Sequence, residues 1–138
     1  MNIEAFLLCD CATDQRGKLN VLGAFDTLFF KEVPGVFQAC SIAARVRFEK
    51  IETGDHEIRL SIIDTDGKHV VPPLGGKASV RIGEDSDSVV VNFVFNMRDI
   101  KFEKFGMHRV DFAMDGQLQK SLPIRVVEIK PPPPKTEY

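Results

Sequence analysis

Hydrophobic and polar positions alternate along most of the chain, and a period of two is typical of β-strands because successive side chains point to opposite faces. The apolar side chains fall on even positions in residues 42–49 and again in residues 58–62. Gly54 lies in the short segment between them and suits the left-handed position of a three-residue hairpin loop. The pattern therefore predicts a central hairpin in which Phe48 pairs with Ile58 and one face is apolar.

The same loop chemistry recurs at three other places, each ending in a glycine. Taking that glycine as the third loop residue predicts the closing pairs Asp14 with Lys18, Asp64 with Lys68, and Ala113 with Gln117. For the last loop, a two-residue Asp115-Gly116 turn is the alternative. It would put Phe112 and Leu118 on opposite faces of the hairpin, so the three-residue loop is favoured.

The remaining strands are less regular. A first strand is predicted over residues 3–12 and a second over residues 18–30, with a bend near Gly23 because a strand glycine often marks a bulge. Residues 70–76 contain two prolines and are predicted to form a sheet edge or a crossover. Residues 98–105 form the only stretch predicted to hold a short helical turn or an irregular loop.

Eight or nine short strands with regular turns, and no long helical periodicity, predict an all-β fold. The predicted architecture is a two-sheet antiparallel β-sandwich, and a partly open β-barrel is the alternative. Residues 1–130 are predicted to form this single domain, and residues 131–138 a disordered, proline-rich tail, since consecutive prolines favour an extended helix without internal hydrogen bonds. The core is expected to contain Phe25, Phe48, Phe93, Phe95 and Phe112.

Length, charge, the N-terminal segment and the cysteine count limit the classes of function expected from the sequence. A chain of 138 residues is long enough for one domain with a real core. The net charge is −2 and the isoelectric point about 5.9, with lysine and arginine scattered singly, so nucleic-acid binding is not expected. The N-terminal apolar run lacks the features of a secretory signal and is too short to span a bilayer, so no membrane association is expected. An odd number of cysteines suits a reducing compartment, and the cytoplasm is predicted.

One group of carboxylates is a candidate calcium site. The segment Asp64-Thr65-Asp66-Gly67 resembles the start of a calcium loop, but Gly75 stands where the bidentate glutamate would be. A hairpin turn explains these residues without an ion. A site assembled between loops remains the alternative, and its candidate ligands are Asp64, Asp66, Glu84, Asp85 and Asp87.

Other chemistry-bearing residues form no recognisable motif. Cys9 and Cys11 are predicted to share one strand face as small core residues, since a structural zinc site needs four ligands with wider spacing. The three histidines are predicted to be half-exposed strand residues, because none accompanies a serine or cysteine nucleophile. No catalytic or cofactor-binding residue and no cofactor is predicted, and the protein is not expected to be an enzyme.

The N-terminal half also resembles a known family. The residues that carry the resemblance are Cys9-Asp10, Gly17-Lys18-Leu19, Leu22-Gly23-Ala24-Phe25-Asp26 and Pro34. They are similar to those of a family of small uncharacterised bacterial proteins built as single β-domains, a domain of unknown function. The resemblance extends to about Val127. It implies the β fold and a bacterial cytoplasmic setting, and it implies no functional residues.

The leading hypothesis for function is a non-enzymatic binding or interaction module that presents loops or an edge strand to a protein partner. It rests on the lack of a catalytic constellation, on the proline tail, and on residues 28–30, which are apolar on both faces and are expected to be covered or to lie in an interface. One alternative is a calcium- or metal-dependent ligand binder or hydrolase that uses the loop carboxylates. The other is a structural subunit that self-associates through its edge strands.

Overall fold

The computed structural model describes residues 1–130 as two packed β-sheets made of nine strands. The strands are β1 (Asn2–Gln15), β2 (Lys18–Ala24), β3 (Thr27–Phe30), β4 (Gly35–Glu49), β5 (Gly54–Ile63), β6 (Leu74–Val80), β7 (Ser88–Phe102), β8 (Gly106–Met114) and β9 (Gln117–Glu128). The four-stranded sheet has the order β2-β1-β4-β7, and the five-stranded sheet has the order β3-β9-β8-β5-β6. The predicted all-β sandwich is confirmed. The predicted tail lies outside the described residues.

Helical structure is nearly missing from this part of the chain. The one helical segment described is a 3₁₀ turn, Lys50–Glu52. No helix within residues 1–130 has the length and apolar character needed to cross a membrane. The helical turn or irregular loop predicted over residues 98–105 is wrong for most of that stretch, because β7 continues to Phe102.

The predicted central hairpin is wrong, although its two strands exist. β4 belongs to the four-stranded sheet and β5 to the five-stranded sheet, so the 3₁₀ turn carries the chain from one layer to the other. Phe48 and Leu60 are both buried, at 0% and 1% exposure, and they contribute to the same core. Alternation identifies the buried face of a strand, but two strands that face each other across a sandwich show the same alternation as two that pair.

The predicted second strand is divided between the sheets. β2 ends at Ala24, just after Gly23, whose φ of +68° is readily adopted only by glycine. β3 then joins the opposite sheet and pairs in parallel with β9, with Leu28 beside Val126. The fold is therefore an antiparallel sandwich with one parallel pair, and β3 is an edge strand.

Three of the predicted loops form hairpins, but only one closes as predicted. The Asp64 N–H donates to the Lys68 carbonyl at 2.8 Å, which confirms that closing pair.

At the β8–β9 turn the chain uses the rejected two-residue turn, with Asp115 and Gly116 both at positive φ. A bulge then inserts one residue in β9, so that Phe112 pairs with Lys120 and the inward alternation is restored. The β1–β2 hairpin likewise has a two-residue loop, one residue shorter than predicted, and closes with Gln15 beside Lys18.

The core lies between the two sheets. Of the five predicted core phenylalanines, Phe48 and Phe112 are fully buried, while Phe25, Phe93 and Phe95 are partly buried and pack against the core. Prolines 72 and 73 lead into β6, which is an edge strand as predicted for that region.

The outer face of the four-stranded sheet is also covered. The β1–β2 hairpin folds over it, so that the Gly17 carbonyl accepts hydrogen bonds from Arg45 on β4 and Asn92 on β7, both at 3.1 Å. Beneath the hairpin lies a second small apolar cluster around Cys9, Ala12 and Ala43. The five-stranded sheet has no such cover within the described residues, so its outer face is the open one.

Candidate functional site

An exposed apolar patch lies on the open face of the five-stranded sheet, where β3 and β9 end and β8 begins. We call it the Phe29 patch, and it consists of Phe29, Met107, Val127 and Ile129. Phe29 is 61% exposed, Met107 52% and Ile129 45%, which are high values for large apolar side chains. The parallel register sets Phe29 beside Val127 on the same face of the sheet. The patch therefore brings together side chains from three separate strands.

A shallow groove of about 420 Å³ borders the patch at Met107 and Val127, whereas Phe29 and Ile129 do not line it. Phe105, Met107 and Val127 give it apolar walls, and Arg125, Glu128 and Lys130 line it with charge. An apolar centre with a polar rim is the usual anatomy of a protein interface. Contiguous exposed apolar surface on a small domain more often marks a binding site than a scattered apolar residue does.

The structure separates the five candidate calcium ligands into two groups. Asp64 and Asp66 lie in the loop after β5, whereas residues 84–87 lie in the loop before β7. That second loop sits beside the start of β5, because Lys50 donates to the Glu84 carbonyl at 3.2 Å. The groups are thus at opposite ends of β5, which at strand rise is roughly 30 Å long.

Within the Asp64 loop the carboxylates already have partners. The Asp64 carboxylate accepts hydrogen bonds from the backbone N–H groups of Asp66 and Lys68, both at 2.9 Å, as expected for an aspartate that begins a turn. Asp66 forms an ion pair with Lys104. Among residues 1–130 no three histidine, cysteine or acidic side chains converge as a metal site. Calcium binding by either loop stays a prediction.

The cysteines lie in different surroundings. Cys9 and Cys40 are buried, but Cys11 is exposed, so the prediction that Cys9 and Cys11 are both core residues is wrong for Cys11. The reason is that β1 leaves β4 after Cys9 and continues only beside β2. Burial raises the pKa of the Cys9 thiol and raises that of Cys40 to about 11. Buried thiols of this kind are poor sources of thiolate for metal binding or catalysis.

His56 is held between two acceptors. Its Nδ1 lies 2.6 Å from the Asp115 carboxylate and its Nε2 lies 2.5 Å from the Glu52 carbonyl. Because neither acceptor can donate, both ring nitrogens must carry protons, and the ring is an imidazolium. The hydrogen bond to Asp115, followed by that to Glu52, raises the pKa of His56, and the same contact lowers the pKa of Asp115. The ring also stacks on Phe48, so it links the two sheets at the 3₁₀ turn.

His108 is buried, at 3% exposure, and the prediction that it is half-exposed is wrong. It lies on the inward face of β8 with Val110 and Phe112, so alternation could have identified it as a core residue. Its Nδ1 lies 3.0 Å from the Gly106 carbonyl, and its Nε2 has no hydrogen-bond partner among the described residues. The ring lines a cavity of about 160 Å³, which we call the His108 cavity.

The Phe29 patch was visible in part from the sequence. The doubly apolar run of residues 28–30 predicts either that both faces are covered or that one lies in an interface. Phe29 is 61% exposed, so it is not covered within the described residues, and an interface there stays a prediction. Met107 and Ile129 gave no comparable signal, because isolated apolar residues near strand ends are common on protein surfaces. Their proximity to Phe29 depends on the parallel β3–β9 pair, which sequence alternation does not reveal.

Comparison with known proteins gives a family but no activity. A sequence model of a family of unknown function matches residues 4–127. No curated protein matches the chain.

Several solved structures that resemble the chain are forms of one much longer enzyme. The β-glucosidase from Listeria innocua in complex with isofagomine aligns with 12% identity and a TM-score of 0.49, over 88% of this chain and 16% of that chain. Its complex with glucose gives the same TM-score, identity and coverage. The chain thus spans less than a fifth of that protein, and similarity at this level carries no argument about function.

Proposed function

The chain belongs to DUF6941, a family of unknown function, and we propose that it is a non-enzymatic module that binds another protein through the Phe29 patch. The single observation that carries this proposal is the exposure of Phe29, Met107 and Ile129 together on the one open sheet face. We propose a bacterial cytoplasmic setting, as the resemblance in the sequence implies.

The edge position of β3 supports a particular kind of partner. β3 has β9 on one side and no strand on the other within residues 1–130, so its outer edge is free to accept another strand. An extended peptide that adds to such an edge gains main-chain hydrogen bonds, and alternate side chains then contact the adjacent sheet face. The occupant we propose is therefore an extended, apolar segment of another protein chain.

Phe29 is the proposed anchor because of its neighbours in sequence and space. Leu28, the preceding residue, is 3% exposed and secures β3 to the core, so the backbone that presents Phe29 is fixed. Aromatic side chains in such settings contribute a large share of binding energy in protein interfaces. Phe29 on a fixed strand would lose little conformational entropy on binding.

The test compares Phe29→Ser with Leu118→Ser. Leu118 is also 61% exposed, but it lies at the β8–β9 turn, away from the patch, and serves as a matched control. Partners would be captured from source-cell lysate on the wild-type chain, purified and titrated against all three proteins. We expect Phe29→Ser to weaken binding by at least about tenfold, as truncating an interface anchor does, and Leu118→Ser to leave it unchanged.

Three results would contradict the proposal. One is equal affinity of the two variants, and another is the absence of any titratable partner. The third is concentration-dependent dimerisation by light scattering that Phe29→Ser abolishes, because the patch would then be covered by a second copy of the chain. Thermal unfolding of each variant checks that all three proteins are folded.

A further inference from the structure

β7 ends the four-stranded sheet, so one of its two edges has a neighbour and the other is open. The first edge pairs with β4 along the whole strand, from Ser88 to Phe102. Within residues 1–130 no strand pairs with the second edge, and no turn or loop forms a backbone hydrogen bond with it. The side chains from Ser88 to Phe95 are half-buried on both faces of the strand. The open edge is therefore accessible, and its backbone groups can form a further ladder.

Two other edge strands have features that discourage such pairing. β2 begins at Lys18 and contains Gly23 at positive φ, while β6 follows two prolines and contains Lys77. Lysine, proline and irregular glycine are the usual protection of sheet edges in natural proteins. Residues 88–97 of β7 contain no charged residue, proline or glycine, and they form a longer edge than the whole of β3. This part of β7 is thus both long and unprotected.

The sequence of this stretch suits pairing with a copy of itself. Residues 88–96 read SVVVNFVFN, with a polar residue at each end and at the centre, and three apolar residues on either side of the centre. The order of polar and apolar residues is therefore the same in both directions. In an antiparallel pair centred on Asn92, each residue meets one of the same class, as Val90 meets Val94. An interface between two identical chains related by a twofold axis requires this kind of self-complementarity.

Such a ladder would cover apolar surface on both faces of the sheet. On the inner face, the odd-numbered residues from Val89 to Phe95 pack against the core but keep part of their surface exposed. On the outer face, Val90 and Val94 are also half-exposed. Directly opposed residues of an antiparallel pair share one face, so each of these side chains would gain an apolar neighbour from the second copy.

The charges beside the stretch favour the antiparallel direction. Residues 84–87, which precede it, include three carboxylates and no basic side chain. Residues 97–101, which follow it, contain two basic side chains and one acidic one. Antiparallel pairing places the acidic end of each copy beside the more basic end of the other. Parallel pairing would instead place the two acidic ends together, which like-charge repulsion disfavours.

We propose that the chain forms a dimer in which β7 pairs antiparallel with β7 of a second copy around Asn92, so that two four-stranded sheets become one continuous sheet. This interface lies on the opposite side of the sandwich from the Phe29 patch. The reason is that Leu74 on β6 lines a groove with Met97 on β7, and β6 and β3 are at opposite ends of their sheet. Each proposal can therefore fail without the other.

The first test measures the molar mass of the full chain by light scattering over a dilution series. We expect a concentration-dependent equilibrium between monomer and dimer. Val90→Glu should weaken the dimer at least about tenfold, because two carboxylates would lose water against Val94 of the opposite copy. In the folded monomer the new carboxylate would stand opposite Arg47, a favourable cross-strand pair that keeps the substitution compatible with the fold.

Val36→Glu is the matched control for the change in charge. Val36 is 54% exposed on β4 and stands opposite Lys101, so it receives the same new charge beside a basic residue but lies outside the proposed ladder. It should leave the dimer unchanged. Phe29→Ser should also leave it unchanged, because the Phe29 patch is on the other side of the molecule.

The second test uses cysteine pairs to check the register, in a Cys11→Ser background because Cys11 is exposed. An equal mixture of Val90→Cys and Val94→Cys chains should form a disulfide-linked dimer on oxidation, and neither variant alone should. Directly opposed residues have Cα atoms about 4.5–5.5 Å apart, which a disulfide can span. Two copies of residue 90 would be roughly 13 Å apart, which is too far.

Four results would overturn the proposal. A strict monomer at every concentration is one, and a dimer that survives Val90→Glu is another. Equal weakening by Val90→Glu and Val36→Glu would show an unspecific effect of charge. Cross-linking of Val90→Cys with itself would exclude the pairing centred on Asn92. Thermal unfolding of each variant checks that the proteins compared are folded.

Discussion

His56 and His108 differ in the hydrogen bonding of one ring nitrogen. His56 has an acceptor oxygen at each ring nitrogen, whereas His108 has an acceptor at one nitrogen and no partner at the other within the described chain. The first arrangement fixes a charged ring that links the two sheets. The second leaves a buried ring nitrogen without a hydrogen-bond partner. Alternation places His108 on the inward face of β8, but the sequence does not reveal the charged cluster at His56, because Asp115 lies 59 residues away along the chain.

The contacts of His56 predict a pH-dependent stability. The folded state binds the His56 proton more tightly than the unfolded state, whose reference pKa is 6.5, so the stabilisation is complete below that pH. It is lost as the pH rises through the raised folded pKa. We therefore expect the melting temperature to fall as the pH rises above about 6.5.

The control for this prediction is a second histidine. His56→Gln should remove most of the pH dependence, whereas His69→Gln should retain it, since His69 is exposed and has no ion pair among residues 1–130. The groups that face this cluster are Asp115, Glu52, the backbone of Glu57 and the N-terminal ammonium of Met1, which lies 2.8 Å from the Glu52 carboxylate. A wild-type melting temperature that is flat or rises over this range would contradict the assigned imidazolium.

At the scale of elements, local rules identified the strands and turns better than their partners. The buried faces of β4 and β5 follow from alternation, and the Asp64–Lys68 closure follows from turn chemistry. The pairing does not follow, because Phe48 and Ile58 would be equally buried in one hairpin or across two sheets. The parallel β3–β9 pair has no local signal at all, since its strands are about a hundred residues apart.

The β8–β9 turn shows why a parity argument can fail. The preference for a three-residue loop assumes a regular β8–β9 ladder. The ladder is not regular, because the bulge in β9 adds one residue to that strand and leaves Leu118 exposed. The tight turn is held by Asp115, whose backbone N–H donates to the Glu57 carbonyl at 2.8 Å and whose carboxylate accepts the Glu57 N–H at 2.9 Å. The chain thus forms the two-residue turn at the cost of an interruption in the β8–β9 ladder.

This turn gives a prediction about Gly116. Its φ is +78° and a Cβ there would contact nothing within 4 Å, so the cost of Gly116→Ala is purely conformational. We expect a loss of about 1 kcal/mol in the free energy of unfolding, measured by urea titration. Gly76→Ala is the matched control, because that site is equally open but lies outside the left-handed region. Equal losses at both positions would show that the backbone conformation of the turn is not what glycine supplies.

At the scale of the whole molecule, the two sheets differ in what covers them. The β1–β2 hairpin closes the outer face of the four-stranded sheet, and its tip is tied to Arg45 and Asn92. The five-stranded sheet keeps an open face with polar residues at its centre, such as the Arg109–Asp111 ion pair, and the Phe29 patch at one corner. The proposed protein-binding function depends on this asymmetry.

The most direct test of that function is photo-crosslinking in source cells. A benzophenone amino acid would replace Phe29 in one protein and Leu118 in another, so that equally exposed positions report on the patch and on an unrelated surface. The account predicts that position 29 forms a discrete cross-link to another protein and that position 118 does not. Identical patterns at both positions, or cross-links at position 29 only to the chain itself, would contradict it.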